Sequence, residues 1–139
     1  TNHGFIGKLL YESEIALNYN MYIDKSVLCF DDIGIYQILI PMLNQPIQSF
    51  FYKEIIDKII TYDAQNNSEL LATAIAYIHS DANIKLTSSI LFQHENTIRF
   101  RIRKLKEVIG YNSFAGEKYE RLSLAIRLYE LNQKFSTNQ

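Results

Sequence analysis

The sequence predicts a mainly α-helical chain with one short strand near its N-terminal end. Three observations carry that expectation. Apolar residues recur at helical spacing, as in Phe51, Ile55 and Ile59 or Leu70, Ala74 and Ile78. The 139 residues are 47% hydrophobic and 21% charged, with only two prolines and five glycines, which is the profile of a globular, largely ordered chain. One run, "SVLCF" at 26–30, is short, apolar and rich in strand formers.

Residues 5–22 read as a helix whose apolar residues form no single clean stripe. The strand at 26–30 follows. A lone strand leaves backbone groups unpaired, so its partners must come from another chain, an unseen hairpin or a domain that is absent. "DDIG" then makes a turn or helix start that Asp31 or Asp32 can cap, and "IGIYQILIPML" runs to Pro41. "NQPIQ" is a break, with Pro46 near the first turn of the next helix. From 47 to 61 the stripe of Phe51, Ile55 and Ile59, flanked by Tyr52, Ile56 and Ile60, gives a wide face for burial.

"DAQNNSE", 63–69, is the polar joint of the chain. Ser68 and Glu69 begin a helix carrying Leu70, Leu71, Ala74, Ile75 and Ile78, which "SDAN" ends at 80–83. A short helix at 84–92, a turn at Gln93 and His94, and a longer helix follow, with Gly110 at its C-cap. "YNSFAG" is a loop. The last element, 117–134, is apolar on most sides and belongs in the core. A boundary near 62–67 separates a mixed α/β part with a connecting helix from an all-helical unit: residues 1–45, 46–66 and 67–135.

Composition excludes several classes. No apolar run approaches the length of a membrane span, so no membrane partner is expected. Cys29 is the single cysteine, which rules out a disulfide within the chain and favours a cytoplasmic location. The first residue is Thr1 and no signal peptide follows, so a piece of a longer protein is expected. There is no GxSxG elbow, P-loop, HExxH pair or CxxC, and His3, His79 and His94 are far apart. Asp31 and Asp32 are better as caps than as a catalytic dyad, and His79 with Asp81 reads as a surface pair. No enzyme activity, cofactor or metal site is expected.

Charge is the informative feature. The chain carries a formal net charge of -1, yet residues 94–110, "HENTIRFRIRKLKEVIG", carry five Lys or Arg against Glu95 and Glu107. That segment is thus at +3 and the rest at -4. "RFRIR" alternates like a strand, but Ile98, Ile102, Leu105 and Ile109 keep helical 4-3-4 spacing over the wider window. Arg99, Arg103 and Lys106 stack along a face roughly opposite that stripe, with Asn96 and Thr97 in the first turn. Free backbone N–H groups and the positive end of the helix dipole lie there, so short polar side chains at that end suit phosphate oxygens or base edges. Arginine forks can take guanine O6 and N7 together. Arg101 borders the apolar stripe, where pairing with a carboxylate on a neighbouring helix is favoured. Phe100 projects from the polar side, either to pack on an adjoining helix or to touch a thymine methyl. The plain alternative for the whole segment is a solvated charged face. The preceding short helix and tight turn tip the balance, because short helix, turn and basic helix are the helix-turn-helix order.

Residues 70–131 resemble the C-terminal domain of the PucR/CdaR-type bacterial transcriptional regulators. The resemblance rests on the run His94, Asn96, Thr97, Ile98, Arg99, Phe100 and Arg101, with Gly110 at the family's helix-ending glycine. Ser88 stands where alanine is usual, and Gln93 where an aliphatic residue is common. The resemblance implies a Fis-like, homeodomain-like helix-turn-helix fold that binds double-stranded DNA, with 95–109 as the recognition helix in the major groove. Upstream, residues 13–39 are similar to the end of a GGDEF-like central domain, implying a helix-strand-helix remnant. It further implies an N-terminal sensor domain missing from this chain. The candidate DNA-binding residues are His94, Asn96, Thr97, Arg99, Arg103 and Lys106. Homodimerisation is expected, since helix-turn-helix proteins commonly occupy two half-sites. The alternative is a helical interaction or dimerisation module, using 47–61 and 117–134, that binds no DNA of its own.

Overall fold

The computed structural model describes residues 2–23, 30–43 and 45–137. Among the described residues there are seven α-helices, one 3-10 turn and no strand. In chain order they are α1 (Asn2–Ile23), the 3-10 turn Phe30–Ile33, α2 (Tyr36–Met42), α3 (Pro46–Asn66), α4 (Leu70–His79), α5 (Ile84–Leu91), α6 (Glu95–Ile109) and α7 (Glu117–Thr137). They divide into two compact units: Thr1–Gln48 with Glu130–Gln139, and Ser49–Tyr129.

In the Ser49–Tyr129 unit, α4, α5 and α6 pack pairwise against one another. Its core joins Ile55, Ile56 and Ile59 of α3, Leu70, Ala74 and Ile78 of α4, the whole stripe of α6, and Leu122, Ala125 and Ile126 of α7. Each contributes an i, i+3 or i+4 set, so every one of these helices buries one face. Full burial of a large aliphatic side chain stabilises by about 1.5–3 kcal/mol, which makes this core the main source of the unit's stability. The buried hydroxyls cost nothing uncompensated: Thr73, Ser80 and Thr87 each donate to a backbone carbonyl four residues back.

In the other unit, α1, the 3-10 turn and α2 pack around Ile15, Ile33 and Ile40. Tyr19 and Tyr36 flank that cluster with ring centroids 5.2 Å apart. Helix α1 leaves Phe5, Leu9, Leu10 and Leu17 exposed, and this scatter is why its sequence shows no clean stripe.

The helix-strand-helix expectation needs correction in its middle member. Residues 26–29 lie outside the described residues, and Phe30, the last of the expected strand, opens a 3-10 turn with Asp31, Asp32 and Ile33. No partner strand exists among the described residues, and strand propensity does not substitute for pairing. The joint expected at 63–69 is also shorter: α3 continues through Asn66, and Asn67 makes the bend with a left-handed φ of 49°.

Candidate nucleic-acid interface

The interface begins with how α5 hands the chain to α6. Asn83 caps α5 by accepting the Leu86 N–H at 3.0 Å. Ser88 donates its hydroxyl to the Lys85 carbonyl at 2.7 Å and so is satisfied within its own helix. The turn starts one residue earlier than the sequence suggested. Phe92 is left-handed with φ 52°, and Gln93 N–H donates to the Ser88 carbonyl at 3.0 Å. Such a conformation costs a side chain-bearing residue about 1 kcal/mol or more, yet Phe92 is 93% exposed and recovers nothing by burial.

His94 then caps α6. Its Nδ1 accepts the Asn96 N–H at 3.2 Å, which in the neutral ring leaves the proton on the outward Nε2. Ile98, Ile102, Leu105 and Ile109 are all buried, and this stripe fixes the rotation of the helix on its domain. Gly110 ends it at φ 78°, and Tyr111 N–H closes back onto the Lys106 carbonyl at 2.8 Å. With the stripe inward, Asn96, Phe100, Arg103 and Glu107 project furthest outward, while Arg99 and Lys106 lie on one flank and Thr97, Arg101 and Lys104 on the other.

The cations are not equivalent. Arg101 is only 19% exposed and donates to Glu69 Oε2 at 2.8 Å, tying α6 to the residue that precedes α4. Lys104 bonds Glu107, whose carboxylate holds its ammonium above the usual lysine range. Arg99 reaches Glu95 at 3.4 Å; both are exposed, and such an i, i+4 pair is weak enough to be exchanged for a phosphate. Arg103 and Lys106 have no ion-pair partner among the described residues. A purely solvated face would neutralise its cations at helical spacing. Here the neutralised ones are chiefly those at the N-terminal turn and on the Lys104 flank.

Sequence reasoning missed the device that fixes the start of α4. The Asp63 carboxylate, from α3, accepts the Leu70 and Leu71 N–H groups at 2.8 and 2.9 Å and also the Ser68 hydroxyl. Between this junction and α6 runs an open groove of about 520 Å³, with Tyr62 and Ser68 on one wall and Thr97, Phe100 and Lys104 on the other.

Three helices packed pairwise, the second ending in a sharp turn and the third presenting a basic outer face, define a helix-turn-helix domain of the DNA-binding class. Residues 70–128 match the PucR C-terminal helix-turn-helix domain. Two relatives from Bacillus subtilis (strain 168) are similar. The DNA-binding transcriptional activator AdeR is 27% identical over 84 residues, 60% of this chain and 20% of that protein. The purine catabolism regulatory protein is 33% identical over 67 residues, 48% of this chain and 13% of that protein. The matched segment thus spans a fifth or less of either relative's length. No solved structure matches the chain.

Proposed function

We propose that this chain binds double-stranded DNA sequence-specifically as the C-terminal part of a transcriptional regulator, with α6 in the major groove. The observation that carries this reading is the division of α6 into a buried apolar stripe and a solvent-facing side on which Arg103 and Lys106 have no ion-pair partner among the described residues. His94 Nε2 and the first turn of α6 receive a phosphate. Asn96 and Arg103 reach base edges, and Thr97, Arg99 and Lys106 hold the backbones on either side. The domain plan that goes with it assigns 67–135 to DNA binding, 46–66 to the connecting helix and 1–45 to the end of a GGDEF-like domain. The protein acts in the cytoplasm as a homodimer on two half-sites about 34 Å apart, under a sensor domain of its own. It has no catalytic role. No helix among the described residues is long and apolar enough to cross a membrane.

The test is selection from random duplexes, followed by titration at rising salt. Selective binding whose log affinity falls linearly with log salt supports the reading. An absence of any duplex binding at low salt would sink it and leave the protein-interaction alternative.

A further inference from the structure

An aromatic side chain stands among the outermost positions of α6. Phe100 lies about half a turn from the centre of the buried stripe, between Asn96 one turn before it and Arg103 just beyond. It is 60% exposed and is not among the side chains packed on the core. One side of its ring lines the groove opposite Tyr62 and Ser68, and the larger part of it is left open to solvent. A phenyl ring on an otherwise polar face gains free energy when a partner covers it.

From this geometry we infer that Phe100 is a specificity-determining residue that recognises the 5-methyl group of thymine; the inference rests on the placement of α6 in the major groove. The phenyl ring can satisfy no donor or acceptor on a base edge. The thymine methyl is the one apolar feature the major groove displays. Over any other base the ring would strip water from a polar edge and return no hydrogen bond, so Phe100 selects for thymine and against cytosine or guanine at its position. Asn96 sits four residues earlier on nearly the same face, about 6 Å along the axis, and its amide suits adenine N6 and N7. The two together predict an adenine and a thymine within about two base pairs of each other in each half-site, given the ~3.4 Å rise of the duplex.

The experiment uses the 139-residue chain and the tightest duplex it selects from a random pool. Each thymine of a half-site is replaced in turn by deoxyuridine, which removes only the methyl group. One position is expected to weaken the unsubstituted protein about fourfold, the worth of one buried methyl. Phe100→Ala is expected to bind thymine and deoxyuridine duplexes equally at that position, with an unchanged circular-dichroism melt. A variant-free arm places 5-iododeoxyuridine there and maps the photocrosslinked residue by mass spectrometry; the crosslink should fall on Phe100. Selected binding with no deoxyuridine-sensitive position, or with one whose sensitivity persists in Phe100→Ala, overturns the inference while leaving α6 as a DNA-binding helix. A crosslink elsewhere overturns it also. Failure to select any duplex removes the underlying reading, and the inference with it.

Discussion

Removing the Asp63 carboxylate should loosen the start of the helix-turn-helix domain without touching its DNA-binding face. Asp63 stands near the C-terminal end of α3, yet its oxygens accept the first N–H groups of α4 at Leu70 and Leu71, and the Ser68 hydroxyl as well. It is an N-cap supplied from seven and eight residues upstream. Asp63→Ala leaves those donors to solvent. Losing a cap costs about 1 kcal/mol, and losing a negative charge at a helix N-terminus adds about 0.3–1 kcal/mol. Because Asp63 is only half-buried, water recovers part of the loss, and about 1.5 kcal/mol is expected. For a domain of this size that lowers Tm by about 6–12 °C. Asp63→Asn keeps one acceptor oxygen and should lose about half as much. Urea unfolding followed by circular dichroism, read at constant m, measures both. A loss below about 0.5 kcal/mol for Asp63→Ala would refute the cap, given the range for cap removal. A loss for Asp63→Asn equal to that for alanine would show that the charge alone matters.

The faces of α6 make further predictions. Arg103→Ala should leave the thermal melt in place and weaken specific DNA binding by about tenfold or more, whereas Ile102→Ala, which empties a buried site, should destabilise by about 2 kcal/mol or more. An unfolded Arg103→Ala would show that the face assignment is wrong. Lys106→Ala should reduce the slope of log affinity against log salt by about one. Arg101→Ala should instead leave that slope unchanged, and a double-mutant cycle with Glu69→Gln should report a coupling of about 0.5–1 kcal/mol in unfolding, small because Glu69 is 64% exposed. A change of salt slope in Arg101→Ala would move that arginine onto the duplex.

What the sequence disclosed follows from the range of the interactions involved. Helix α6 was legible because four apolar residues at 4-3-4 spacing outweigh a five-residue strand-like alternation, and all four are buried. Gly110 was legible because a left-handed helix end favours glycine. The pairing of Arg101 with a carboxylate of a neighbouring element followed from its place on the border of the stripe. Its partner, 32 residues away, did not, since nothing local marks Glu69. Asp63 escaped for the same reason: capping rules search the residues flanking a helix, and this cap arrives from the previous helix. Its one local signal was a carboxylate near a helix C-terminus, where the dipole disfavours it. The bend at Phe92 was hidden because the left-handed position there holds no glycine or asparagine. The strand expectation rested on side-chain preference at 26–30, and preference is silent about whether another strand exists to pair with.

The Asp63 cap and the Arg101–Glu69 bond, with the buried stripe, leave the outward positions of α6 free of structural duty. Asn96, Phe100 and Arg103 are not among the buried core side chains, so exchanging them as a set should leave the core in place. If α6 reads DNA as proposed, the domain is a chassis with a replaceable reading head, and variants randomised at those three positions should express and melt alike while sorting onto different operators. Retargeting would then be a matter of rewriting one exposed helical surface.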